Sequence, residues 1–399
     1  MLQLLRTWHR WVGLAIAGFL FVSGLTGALI AWDHELDAAL NPKLYLSDTA
    51  GPPISSLALA DQLETERPGT VVTYLPLATE PGHTLMLWVE QLPGAGDPID
   101  YNQVALDPAS GQVLGTRMWG AAVLDREHLM PFLYHFHYSL HLPMLSGVEI
   151  GVLLLGIVAI LWVIDSLVAI AISFPSPATW RKSFAFRWRQ GGARLLFDLH
   201  RSGGVWVWML VMFVAITSVS MNLEHEVVRP IVNVLSPLKE GPFDGPPGTP
   251  PERHPAVSRE AVVASAVMAA KARGIQAPPG AIFYSSLYGI YGVGFFAPGM
   301  DHGDGGLGNP WFYFDSTTGA AVGADIPGEG SAGDLYMQLQ FPLHSGRIAG
   351  TAGRIAVSVL GVLIAGLSLT GVLLWLRRRR AARTRETAAY PGVADGLGE

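Results

Sequence analysis

The chain has 399 residues, half of them hydrophobic and only 15% charged, and it has no cysteine. A soluble domain is about a quarter charged, so the apolar excess must sit in long segments. The missing thiols exclude disulfides, Cys-ligated iron–sulfur clusters, thiolate zinc sites and covalently attached c-type haem. The formal net charge of −6, carried on the external parts, argues against nucleic acid as a partner.

The first apolar run, residues 11–32, follows Arg6 and Arg10. It is longer than the roughly 7–15 residues of a signal-peptide core, so it predicts a retained first span over 5–33. Residues 34–143 read as an external α+β domain. A helix is expected over 55–66, strands over 71–77, 84–90 and 103–106, and a strand–turn–strand ending from Asp107 to Gly115. A second span covers 144–174. A loop at 175–198 carries Arg181, Lys182, Arg187, Arg189 and Arg194, and a third span covers 199–224. Residues 225–345 read as a second external α+β domain, with a helix over 258–273 and strands near 282–286, 292–296 and 311–314. The Pro- and Gly-rich stretch 241–255 reads as a loop. The segment Asp301 to Gly306 reads as a flexible turn, with a metal loop as the other possibility. A fourth span covers 346–377 and ends on Arg377, and the tail 378–399 opens with Arg378 to Arg380, Arg383 and Arg385 and is expected to be disordered beyond them. Each apolar run is about 20 residues or longer, what a helix needs to cross about 30 Å of hydrocarbon. The basic clusters put both termini and the 175–198 loop in the cytoplasm, and setting topology is role enough for those arginines.

The chain repeats itself. His9-Arg10 matches His200-Arg201 at an offset of 191 residues, which also relates His34-Glu35 to His225-Glu226 and Thr26-Gly27 to Thr217-Ser218. Asp107 to Gly115 matches Asp315 to Gly323. The expected fold class is therefore membrane α-helical: a four-transmembrane-helix bundle from a duplicated unit of span, external domain and span.

The 12 histidines concentrate at the two membrane faces. His9 and His200 enter the first and third spans from inside, and His34 and His225 leave them outside. His135, His137 and His141 precede the second span on the outside, and His344 precedes the fourth. Paired imidazoles at both borders suit b-type haem, whose iron takes one neutral imidazole on each side of a ring slotted between helices. Glycines such as Gly13, Gly27, Gly203, Gly204 and Gly371 would let the ring approach. The inner haem ligands are expected to be His9 and His200, the outer ones His344 with His137. His141 is the alternate, because His137 and His141 at i and i+4 share a face if they lie on one helix. Each histidine taken alone also reads as an ordinary interfacial polar residue. His34 and His225 read as structural or propionate-binding. Asp165 is an ionisable residue inside the second span, where the fourth has Thr370. It either orients His9 or His200, relays a proton, or bonds Ser166 or a neighbouring helix. No Gly-rich nucleotide fingerprint lies in a cytoplasmic segment, so a separate electron donor is needed.

Trp8-His9-Arg10-Trp11, Leu25-Thr26-Gly27, His34-Glu35-Leu36-Asp37 with Asn41-Pro42, Phe136-His137-Tyr138, Asp198-Leu199-His200-Arg201, Pro342-Leu343-His344-Ser345-Gly346-Arg347 and Leu369-Thr370-Gly371 with Trp375 together resemble the PepSY-associated transmembrane proteins, also called iron-regulated membrane proteins. The resemblance covers nearly the whole chain. It implies a multi-pass bacterial inner-membrane protein with two periplasmic PepSY-like domains, in some members a ferric-siderophore reductase with two b-type haems. The donor would be a cytoplasmic reductase or quinol, and the acceptor a periplasmic ferric siderophore or other iron chelate docked between the external domains. Tyr284, Tyr288, Tyr291 and Trp311 would line that surface or pack in the core. This chain departs from the pattern at Asp165-Ser166, where Thr-Gly is expected, and at Thr217-Ser218. A non-redox membrane module that binds or regulates a periplasmic protein, and an iron or copper transporter, are the alternatives.

Overall fold

The computed structural model describes residues 1–49, 51–92, 94–95, 98–245, 255–301, 303 and 305–389. His302 and Asp304 of the expected metal loop or turn, residues 246–254 of the Pro- and Gly-rich stretch, and residues 390–399 of the tail lie outside the described residues. The chain divides into two compact units, one holding the long apolar helices and the other the sheet.

Among the described residues, four helices are long and apolar enough to cross a membrane: Leu2–Ile30, Ile150–Ser173, Gly192–Asn222 and Gly350–Ala389. The third begins earlier than its apolar run, because Ala193, Arg194, Leu195 and Leu196 are strong helix formers, and Gly191 and Gly192, with φ +53° and +54°, break the chain before them. The fourth continues through Arg377 to Arg380 as far as Ala389, again because Arg and Ala favour helix. The expectation of disorder directly after Arg385 is corrected to that extent.

The first and fourth spans meet backbone to backbone. A Cβ on Gly24 would stand 2.6 Å from the Gly361 carbonyl oxygen, and Ser358 Oγ donates to the Ala28 carbonyl at 3.1 Å. Small residues permit this approach, which in lipid replaces the missing hydrophobic drive. Gly156 of the second span makes room for Leu223 at the end of the third, and Trp208 Nε1 donates to the Ser166 carbonyl at 2.9 Å. The basic loop is not only a topology signal. Asp198 is fully buried and accepts from Arg187 Nε and an Arg187 terminal nitrogen, each at 2.7 Å.

In the sheet unit the strands are β1 (Thr70–Pro76), β2 (Leu85–Gln91), β3 (Gln103–Leu106) and β4 (Val113–Arg117). A short hairpin in the helical unit supplies β5 (Met144–Leu145) and β6 (Val148–Glu149). The sheet resumes with β7 (Pro279–Ser285), β8 (Ile290–Phe295), β9 (Trp311–Asp315) and β10 (Ala321–Asp325). These are not two separate domains, as expected, but one eight-stranded sheet in the order β10-β9-β8-β7-β1-β2-β3-β4. β1 and β7 are the first strands of their halves and pair antiparallel, with Tyr74 opposite Phe283 and Pro76 opposite Ala281. Left alone, each would expose a row of unpaired backbone groups; together they close both edges. The helices Ser56–Glu66 and Arg259–Ala272 bury Leu59, Leu63, Val262 and Ala266 in one core with residues from both halves of the sheet. Arg259 reaches across to Asp61 and Glu64 at 3.1 Å.

The segment after the first span is anchored by a buried network. Arg117 donates to both Asp37 oxygens at 3.0 and 2.6 Å and to Gln103 at 2.7 Å. Asn41 and Tyr45 also donate to Asp37, at 2.7 and 2.6 Å. Arg354, opening the fourth span, grips Glu35 through both oxygens at 2.7 and 2.6 Å and lies 4.3 Å above the Trp32 ring centre.

Candidate functional site

The helical unit brings His9 and His200 together. Their ring centres are 6.0 Å apart, with the planes inclined at 39°. A metal held between two imidazoles by nitrogen bonds of about 2.0–2.1 Å would separate the ring centres by roughly 6 Å. The ring-centre spacing matches that of two imidazoles on one ion.

Each ring is held through Nδ1. His9 Nδ1 donates to Asp165 Oδ2 at 2.9 Å. His200 Nδ1 lies 3.0 Å from the Leu367 carbonyl and 3.2 Å from Thr370 Oγ1. The hydroxyl hydrogen of Thr370 is already spent on the helix, on the Gly366 and Leu367 carbonyls at 2.8 and 2.9 Å, so Thr370 accepts from the ring. His137 repeats the arrangement: its Nδ1 is 2.9 Å from Thr26 Oγ1, whose hydrogen is spent on the Val22 carbonyl at 2.8 Å. A carboxylate and a carbonyl can only accept, so Nδ1 carries the proton in His9 and His200 and Nε2 keeps its lone pair. That is the tautomer of a metal-binding histidine whose other nitrogen is fixed by an outer partner.

Two glycines complete these seats. A Cβ on Gly371 would stand 3.0 Å from His200 Cε1, and one on Gly27 the same distance from His137 Cε1. Expected as openings for a macrocycle, Gly27 and Gly371 instead make room for the imidazole of a neighbouring helix. Gly13 lies beside the Asp165 carboxylate, and Gly203 and Gly204 have only Leu367 Cδ2 nearby, at 3.8 and 3.7 Å.

His137 and His141 do not share a helical face. The helix Leu129–Ser139 ends between them, because Leu140 and His141 have φ +54° and +52°, which a right-handed helix cannot include. His141 instead stacks on Phe136, with ring centres 6.1 Å apart. His344 ends the helix Ala332–His344 in the sheet unit. Burial pushes its imidazole down to about 4, so it is neutral at neutral pH, as a ligand must be. His34 and His225 are exposed.

Of the two places expected for the aromatic residues, a docking surface or the core, the contacts here are those of packing. Tyr284 and Tyr291 are buried in the sheet core with ring centres 5.2 Å apart, Tyr288 packs on Phe243 at 5.3 Å, and Trp311 packs on Phe283 at 5.4 Å. Pairing of β1 with β7 joins the two halves of the sheet directly.

Among the described residues no group of three or more His, Asp or Glu side chains is arranged to hold a metal ion. The His9–His200 pair would supply two ligands, which suits a metal that brings the rest of its coordination with it, as the four nitrogens of a porphyrin do. The roles of Thr26 and Thr370 were signalled in the sequence only by the recurrence of Thr-Gly in the first and fourth spans.

Comparison with curated proteins finds no match. The family model described as the PepSY-associated TM region matches residues 6–378, nearly the whole chain, and the protein belongs to that family.

Proposed function

We propose that this protein is a bacterial inner-membrane haem b protein that passes electrons across the bilayer to a periplasmic ferric chelate, a ferric siderophore, and so releases its iron. The observation that carries the reading is the His9–His200 pair at 6.0 Å, with both Nδ1 atoms engaged and both Nε2 lone pairs left for a metal. His9 and His200 would hold the inner haem. His137, seated on Thr26 and Gly27, is the outer candidate, and its partnership with His344 rests on the sequence. Bound there, haem would supply a one-electron Fe(III)/Fe(II) couple. The chain's own part is to fix the ring tautomers and to keep the site inside the bundle. Iron leaves once reduced because siderophore oxygens hold hard Fe(III) far more tightly than Fe(II). The arginine clusters support cytoplasmic termini and a periplasmic sheet. The matching places of His9 and His200, and of Asp107 and Asp315, support a duplicated unit.

The test is the absorbance spectrum of the full-length protein purified after expression with ample haem supply. Low-spin Soret and α bands that sharpen on dithionite reduction are expected, with His200→Ala losing the inner haem and keeping the outer. A folded protein with only the 280 nm band would overturn the proposal in favour of a non-redox module acting on a periplasmic protein.

A further inference from the structure

The rings at the candidate site are backed by groups of different charge. His9 faces a carboxylate, Asp165, at 2.9 Å. His200 faces a backbone carbonyl and a hydroxyl, and His137 faces a hydroxyl. Asp165 is 5% exposed, and its second oxygen, Oδ1, is buried with no hydrogen-bond partner among the described residues. An intramembrane carboxylate is costly, and one left half-satisfied is costlier. A residue with only a packing or tautomer-fixing role needs no such charge, because Thr370 does that work for His200 with a neutral hydroxyl.

Resting on the haem reading above, we propose that Asp165 is a positioning residue whose charge sets the inner haem at a lower midpoint potential than the outer one, so that electrons run outward. Accepting the Nδ1 proton of His9 gives the ring partial imidazolate character and makes Nε2 a stronger donor. The negative charge itself favours Fe(III) over Fe(II), which carries one positive charge fewer, and in a low-dielectric interior this preference is weakly screened. A hydroxyl or a carbonyl does both much less. With haem at both sites the step so driven would move one electron, inner Fe(II) becoming Fe(III) and outer Fe(III) becoming Fe(II), with no bond or proton exchanged. A quinol or reduced flavin on the inner side would give its two electrons one at a time, serving two such steps, and each electron would leave to a ferric chelate outside.

The test is a spectroelectrochemical titration of the intact haem-loaded protein at one fixed pH, with His200→Ala used to identify the inner midpoint. Asp165→Asn keeps the shape and an acceptor oxygen but removes the charge, and Asp165→Thr copies the neutral partner of His200. Both are expected to raise the lower midpoint by at least a tenfold change in the reduction equilibrium, 59 mV for a one-electron couple, and to leave the upper one in place. The proposal is overturned if both variants keep wild-type midpoints, or if His200→Ala removes the higher midpoint. Loss of the inner haem from both variants would also overturn it, showing that Asp165 only holds His9 in place. Wild-type protein that binds no haem would sink the haem reading itself, an outcome distinct from coloured protein with unmoved midpoints.

Discussion

The seat of His200 can be probed by filling Gly371. An alanine Cβ there would stand 3.0 Å from His200 Cε1 and 3.6 Å from Nδ1, whereas carbon atoms rest about 3.5–4.0 Å apart. The ring must then retreat by roughly half an ångström. Its Nδ1 contacts, now 3.0 and 3.2 Å, would pass the limit at which they count as hydrogen bonds. Losing one such bond costs about 1 kcal/mol. That cancels the roughly 0.5–1 kcal/mol that Gly→Ala ordinarily gains in a helix. Gly371→Ala should therefore be nearly neutral in thermal stability yet bind the inner haem more weakly, because His200 has left its position against His9. Gly371→Val adds two methyl groups to the overlap and should lose the inner haem altogether. Val359→Leu, on the exposed face of the same helix, is the control and should change neither quantity. Haem content per protein, read from the pyridine haemochrome and from monodisperse protein on gel filtration, decides the matter. Gly371→Val with wild-type haem content would refute the reasoning, as would an equal loss from the control.

Three further outcomes follow from the sheet unit. Arg117→Leu strands the Asp37 carboxylate, in a pair whose side chains are 1% and 6% exposed, and should destabilise by about 3–5 kcal/mol; a melting curve of the full-length protein unchanged within error would contradict this. Arg259→Ala releases Glu64 and Asp61 and should cost about 1.5–3 kcal/mol, with faster hydrogen exchange at β1 and β7 as its local signature; unchanged exchange there would count against the bridge. Burial pushes the Asp107 carboxyl up, but hydrogen bonds from Ser47, Thr49 and Ser110 outweigh it and hold the group well below the usual carboxylate range. Backbone and side-chain bonds from Thr318 do the same for Asp315. A lowered folded value means the unfolded chain binds more protons, so this stability is complete above about pH 4 and is lost as pH falls further. The Asp107→Asn, Asp315→Asn double variant should therefore lose less stability between neutral and acid pH than the wild type, and an equal loss would disprove the assignment.

The spans were legible because only a membrane rewards 20 apolar residues in a row. Their ends were less so, because helix propensity carries the third span back to Gly192 and the fourth on to Ala389, through residues that hydropathy excludes. The sheet strands were legible from alternation, but their union was not. Alternation tells which face of a strand is buried, and nothing in β1 or β7 says which strand lies beside it. His141 was misread for a related reason. Spacing of four residues implies a shared face only while the helix lasts, and left-handed Leu140 and His141 carry no glycine to announce the break.

His9 and His200 stood out because they recur at one repeat position, but recurrence says only that two residues do similar work. Their meeting depends on which helices touch, and that is decided elsewhere, by Gly24 against Gly361 and by Gly156 under Leu223. The threonines were harder still, since a threonine inside a span ordinarily bonds its own helix. Thr26 and Thr370 do so here, and each also places its oxygen within hydrogen-bond reach of a neighbouring imidazole Nδ1, that of His137 and that of His200. Asp165 reaches the same end with a charge. Where His200 has a carbonyl and a hydroxyl, His9 has a carboxylate, so the tautomer is the same and the field at Nε2 differs; on the haem reading, that difference would separate the two axial donors in basicity.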